Sequence, residues 1–196
     1  MAAASGLATV ATSSSAQQSA SEAIPETCIY TEQFQSLPIR EVCRIFKQIG
    51  VDGLDLTVRP GGHIEPQDAE HRLPEASKTA RDHGLRIMML TTGITTADQH
   101  AESILATCQK LDIRRIKMGY YAVGEFGQLA KRLDDVRRQL DAVAKLGAKY
   151  EVRPCVHVHS GATIPSNGFM LYNPVSYTHL RAHETDSYLV CRLLLE

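Results

Sequence analysis

No apolar run in the 196 residues approaches the ~20 needed to span a bilayer, so no membrane-crossing helix is expected. Basic charge is not in excess either. Lys and Arg number 21 against 22 Asp and Glu, a net charge of -1, which leaves no electrostatic footprint for a nucleic acid partner. The cysteines (Cys28, Cys43, Cys108, Cys155 and Cys191) are scattered, with no CxxC pair and no zinc-ribbon spacing. Cys43 and Cys108 fall on helix faces that read as buried, which makes them core thiols. A glycine-rich dinucleotide fingerprint is also missing, since Thr31 to Ser36, after the first strand, contains no glycine. What remains is a chain with 43% apolar residues, enough for one domain with a real core.

From Thr27 the pattern alternates strand and helix. Cys28 to Thr31 reads as a short strand. Ser36 is placed to cap a helix with Pro38 in its first turn, Ile39, Val42, Cys43, Phe46 and Ile49 recur at helical spacing, and Gly50 ends it. Leu54 to Arg59 is the second strand. Pro74 is expected to open a weakly apolar helix that Gly84 closes, and Arg86 to Thr91 is the third strand. Ala97, Ala101, Ile104, Leu105 and Cys108 mark the next helix, and Ile113 to Gly119 the fourth strand. Leu129, Leu133, Val136, Leu140 and Val143 make a long amphipathic helix stopped at Gly147, and Val152 to His159 is the fifth strand. Strict βα alternation with short loops implies parallel strands joined by right-handed crossovers. The class is therefore α/β, and doubly wound sheets and barrels both satisfy the pattern. The missing fingerprint and the polar strand faces favour a partial (β/α)8 TIM barrel with about five βα units, where a full barrel takes roughly 250 residues.

The stretch from Gly50 to His63 organises the rest. Along its strand Leu54, Leu56 and Val58 point one way, and Asp55, Thr57 and Arg59 the other. A polar strand face running into the Pro60, Gly61, Gly62 loop at the C-terminal end of the strand is where α/β proteins build active sites. A purely structural pairing of Asp55 with Arg59 is the alternative. Arg59 offers a planar fork for carboxylate or phosphate. His63 stands on the loop, available for catalysis or idle at the surface. On the fourth strand Lys117 shares a face with Arg115 and Gly119, followed by Tyr120 and Tyr121. Lys117 would steer a carbonyl or enolate oxygen or act as an acid/base; the alternative is a salt bridge to Asp55. His157 and His159, two apart, are expected on one face of the fifth strand, as two ligands of a divalent metal or as a hydrogen-bonded core pair. Glu151 lies at the wrong end of its strand for a barrel site.

The segments Asp52 to His63, Lys117 to Tyr121 and Val156 to Gly161 resemble the xylose isomerase-like barrel superfamily, in the group called sugar phosphate isomerases/epimerases. The resemblance covers about Thr27 to Asn173. It implies an eight-fold barrel with a divalent metal (Mn, Mg, Co or Zn) at its mouth, moving a proton or hydride between neighbouring carbons of a sugar or sugar phosphate. His157 and His159 map onto the superfamily's His-x-His motif as metal ligands. Many relatives carry a metal-binding glutamate at or just after that motif, whereas Ser160 and Gly161 follow here. The remaining metal ligands of such relatives come from later strands. With these expectations Lys117 and His63 are the catalytic candidates, and Arg59, Asp55 and Tyr120 the substrate-binding ones. A non-catalytic sugar-binding barrel and an abasic-site endonuclease are the alternatives, and a homo-oligomer is compatible with all three.

The two ends read differently from the middle. Residues 1–26 are rich in Ala, Ser, Thr and Gln, as in a disordered segment or the weakly apolar part of a truncated twin-arginine-type export signal, so the location is cytoplasmic or exported. Residues 174–196 resemble a translated DNA-library adapter, most clearly over Val175 to Thr185 and Leu189 to Glu196, and on that resemblance the barrel sequence is interrupted near Asn173 and inactive as it stands.

Overall fold

The computed structural model describes residues 25–167 and Met170. The signal-like and adapter-like readings fall on residues outside these. The described chain runs β1 (Cys28–Tyr30), a 3-10 turn (Thr31–Phe34), α1 (Ile39–Ile49), β2 (Gly53–Val58), a 3-10 turn (Pro66–Asp68), α2 (Ala69–Asp82), β3 (Arg86–Thr92), α3 (Gln99–Lys110), β4 (Arg115–Lys117), β5 (Tyr121–Ala122), α4 (Leu129–Lys149), β6 (Arg153–Cys155) and β7 (Thr163–Ile164). Strands β1, β2, β3, β4 and β6 form one parallel sheet in chain order, while β5 and β7 form a separate antiparallel pair. Sequential parallel strands with a helix between each pair of neighbours are the wall of a TIM barrel, here five strands of the eight. Among the described residues no helix is long and apolar enough to cross a membrane.

The core lies between the sheet and its helices. Leu54, Leu56 and Val58 of β2, Leu90 of β3 and Ile116 of β4 are buried with Phe46 of α1, Leu73 of α2, Leu105 of α3 and Leu140 of α4. Cys43 and Cys108 are fully enclosed in this layer, and burial pushes their thiols up to about 11 and about 12, where they stay protonated. The other face of β2 places Asp55 and Thr57 on the barrel interior, so all six residues of the strand are buried.

Several local expectations need correcting. The first helix begins at Ile39 with Pro38 in the capping position, and no side chain caps it, Ser36 included. Gly50 ends it as expected, in the left-handed region at φ 88°. The second helix starts at Ala69, five residues before Pro74, which lies inside it. The proline removes one internal hydrogen bond, but Ala69, Leu73, Ala76 and Ala80 bury one continuous face across it, and that packing outweighs the local break. The long helix runs past Gly147 to Lys149. A Cβ at Gly147 would stand 2.6 Å from the Val152 carbonyl oxygen and 2.8 Å from Pro154, so the glycine lets α4 lie against β6 instead of ending the helix. The fourth and fifth strands of the sheet are shorter than expected, at Arg115–Lys117 and Arg153–Cys155, so His157 and His159 lie beyond the ladder.

Candidate functional site

At the C-terminal ends of the strands, a hollow of about 290 Å³ is lined by Tyr30, Glu32, Asp55, Arg59, Thr91, Lys117, Tyr120, His157 and His159. The lining comes from every strand of the parallel sheet or from the loop that follows it. Parallel register explains this convergence: Asp55 pairs with Tyr30 across β1 and β2, and Lys117 pairs with Thr91 across β3 and β4.

Asp55 is the most enclosed acid of the hollow, only 4% exposed. The Thr91 hydroxyl lies 2.9 and 3.0 Å from its two carboxylate oxygens and donates to them. Burial raises its pKa to about 6, against the opposing effects of the Thr91 hydroxyl and the Lys117 charge. Lys117 makes no ion pair with Asp55. Its ammonium instead lies 4.8 Å from the centre of the Tyr120 ring and 5.7 Å from that of Tyr30. Thr92 donates to the Lys117 carbonyl at 2.8 Å, which fixes the end of β4 against β3.

Arg59 pairs with Glu32, from the turn after β1, and not with Asp55. Burial alone would raise the Glu32 carboxyl; the Tyr30 hydroxyl, the Arg59 guanidinium and the Lys117 charge outweigh it and hold Glu32 below the usual range. Tyr30 moves the other way, its phenol pushed up by burial and by the adjacent Glu32.

The two histidines reach the hollow from the loop after β6. The Tyr120 hydroxyl lies 3.1 Å from His157 Nδ1, and the Tyr120 and His159 rings are 4.9 Å apart at their centres. Burial, with the nearby positive charge of Lys117, lowers the His157 pKa. His159 Nδ1 donates to the Ser160 carbonyl at 2.7 Å, its backbone N–H to the Pro165 carbonyl at 3.1 Å, and Thr163 donates to the His159 carbonyl at 2.8 Å. The β5–β7 pair thus holds the loop that carries both imidazoles.

His63 is held away from the hollow. Its Nε2 donates to the Phe34 carbonyl at 3.2 Å, and its Nδ1 lies 3.1 Å from the Thr57 hydroxyl, which also accepts from the His63 backbone N–H at 3.0 Å. Burial lowers its pKa. These bonds tie the loop after β2 to the turn after β1. Glu151 pairs with Arg114 at 2.8 Å, away from the hollow. The structure therefore gathers Asp55, Arg59, Lys117, Tyr120, His157 and His159 together, and leaves His63 outside. It adds Tyr30, Glu32 and Thr91, which sequence reasoning missed. The signal for Glu32 was an acid immediately after a predicted strand end.

Among the described residues no group of three or more His, Cys, Asp or Glu comes together to hold a metal ion. His157 and His159 supply two donors, short of the usual complement for a divalent cation. These two residues alone do not make up a metal site.

No family model matches the chain, and no curated protein matches it. Solved structures do. A Rhodospirillum rubrum protein provisionally named a xylose isomerase aligns with a TM-score of 0.60 at 11% identity, over 80% of this chain and 64% of its own. A sugar phosphate isomerase/epimerase from Parabacteroides distasonis aligns at 0.58 and 12% identity, over 82% and 64%. An L-ribulose 3-epimerase aligns at 0.59 and 12% identity, over 78% and 57%. The chain spans about three-fifths of the length of these structures. At such identities the likeness establishes the fold: the chain has the fold of the xylose isomerase-like TIM barrels, as a partial barrel.

Proposed function

We propose that the protein is a sugar isomerase or epimerase that moves a proton at the carbon beside a sugar carbonyl, in the hollow at the C-terminal mouth of the sheet. The observation that carries this is the convergence of Lys117, Asp55 and His157 on one small hollow, in a fold shared with proteins named as sugar epimerases. Asp55, raised by burial to about 6, titrates close to neutral pH, and burial lowers the His157 imidazole so that it favours its unprotonated, proton-accepting form. In the proposed reaction one of them accepts the proton from the substrate carbon. The bonding pair moves to form an enediolate, and its oxygen develops negative charge beside the Lys117 ammonium. A proton then returns to the opposite face of the same carbon, giving the epimer, or to the neighbouring carbon, giving the isomer. Lys117 favours this path because a fixed cation in a partly dry site opposes the developing charge without reorganising. Arg59, Glu32 and Tyr120 would hold the sugar hydroxyls. The divalent metal implied by the resemblance is a further proposal: were it bound, His157 and His159 would supply two of its ligands, further donors would be required, and Asp55 would be the proton acceptor.

The test is solvent exchange. The protein is incubated with a panel of ketoses in D2O, and deuterium at the carbon beside the carbonyl is followed by proton NMR. Exchange that is lost in Lys117→Met supports the proposal. Sugar binding with no exchange would make the protein a non-catalytic sugar-binding barrel.

A further inference from the structure

The proposed function leaves open whether the sugar carries a phosphate. Read as sequence, the Arg59 fork followed by Pro60, Gly61 and Gly62 is the kind of segment that seats one, with a guanidinium and a row of free backbone N–H groups. In the structure both halves of that seat are already used. The Arg59 guanidinium is paired with Glu32. Gly61 N–H donates to the Glu65 carboxylate at 2.8 Å, Gly62 N–H to the Arg59 carbonyl at 2.8 Å, His63 N–H to the Thr57 hydroxyl at 3.0 Å, and Ile64 N–H to the Thr57 carbonyl at 3.2 Å. Four successive donors thus point back into the loop. The other fixed cation, Lys117, rests against two aromatic rings within reach of the Asp55 charge. Two carboxylates offset these two cations, so a phosphate dianion would enter a hollow with no surplus positive charge.

A hydroxyl fits the same surface well. The guanidinium only donates and the carboxylate only accepts, whereas a sugar hydroxyl does both and is able to bridge the pair without breaking it. We infer that the hollow takes a neutral, unphosphorylated sugar, whose hydroxyls span the Arg59–Glu32 pair while its carbonyl end meets Lys117. This rests on the proposed function and narrows its substrate class.

The test compares D-fructose and D-tagatose with fructose 6-phosphate and fructose 1-phosphate, reading dissociation constants by ligand-observed NMR and deuterium exchange in parallel. The free sugars are expected to bind at least about tenfold more tightly than either ester. Glu32→Gln releases the guanidinium and should shift that ratio toward the esters by about tenfold or more. Arg59→Met leaves Glu32 unopposed and should shift it the other way. Both positions are partly exposed, and circular dichroism checks that the variants fold. Tighter binding of an ester by the wild type, or a ratio that moves in neither variant, overturns the inference while leaving the isomerase proposal standing. Failure to bind or exchange any of the four compounds overturns both.

Discussion

Lys117 turns its ammonium onto the face of Tyr120, 4.8 Å from the ring centre, although the Asp55 carboxylate lines the same hollow. A lysine locked into an ion pair would have its charge compensated already. One held by aromatic faces keeps its donors available to an incoming oxygen. Substituting Lys117→Met keeps the length and apolar stem of the side chain. It should lower the exchange rate by about 10²-fold or more with little change in melting temperature. Comparing exchange kinetics with thermal melts checks this; parallel losses in both would assign Lys117 a structural role.

Asp55 links the hollow to stability. Its folded pKa of about 6 lies above the ordinary aspartate value of 3.8, so the folded state holds the proton more tightly than the unfolded chain does. The sign follows: the carboxyl favours the folded state most below pH 4, and that contribution is lost as pH rises through about 6. Asp55→Asn removes the titration while preserving an acceptor for Thr91. The variant should gain on the wild type by about 2 kcal/mol between pH 4 and pH 8, as read from denaturant melts at the two pH values. A stability difference that does not vary with pH would mean that Asp55 is not buried as described.

The two kinds of histidine should separate cleanly. His63→Ala breaks the ties from the loop after β2 to Thr57 and Phe34 and should cost about 1–3 kcal/mol of stability. His157→Ala loses its bond to Tyr120, at an exposed position, and should lower exchange with a smaller stability cost. Melting curves and exchange rates measured on both variants decide it.

Gly119 connects the frame to the site. A Cβ there would stand 2.7 Å from the Gly93 carbonyl oxygen and 2.9 Å from its carbon, both backbone atoms that cannot swing aside. The Gly119 N–H also donates to the Ile94 carbonyl at 2.9 Å. Gly119→Ala should therefore push β4 from the loop after β3, costing about 1–3 kcal/mol and shifting Tyr120 with it. Loss of stability together with weakened sugar binding is the expected pair of results.

Much of this was legible in the residues themselves. The alternation of Leu54, Leu56 and Val58 with Asp55 and Thr57 gave the two faces of β2, and the helical spacing of Ile39 to Ile49 gave its first neighbour. Lys117 and Asp55 could be placed at the mouth because each stands on the polar face of a strand that leads into a loop at its C-terminal end. What could not be read was pairing across distance. Glu32 takes Arg59 from a turn twenty-seven residues away, a contact fixed by the register of β1 against β2 and by no local pattern. His157 and His159 looked like a strand pair from their spacing. The ladder ends at Cys155 because β4, its partner, ends at Lys117, so both imidazoles stand on a loop held by β5 and β7, two strands too short to show a period.

The most direct measurement is a crystal structure of the protein soaked with a ketose. The sugar is expected in the hollow, its hydroxyls within hydrogen-bonding distance of Arg59 and Glu32 and its carbonyl oxygen beside the Lys117 ammonium. A sugar bound elsewhere on the molecule, with Asp55, Lys117 and His157 untouched, would contradict the assignment of this hollow as the site of chemistry.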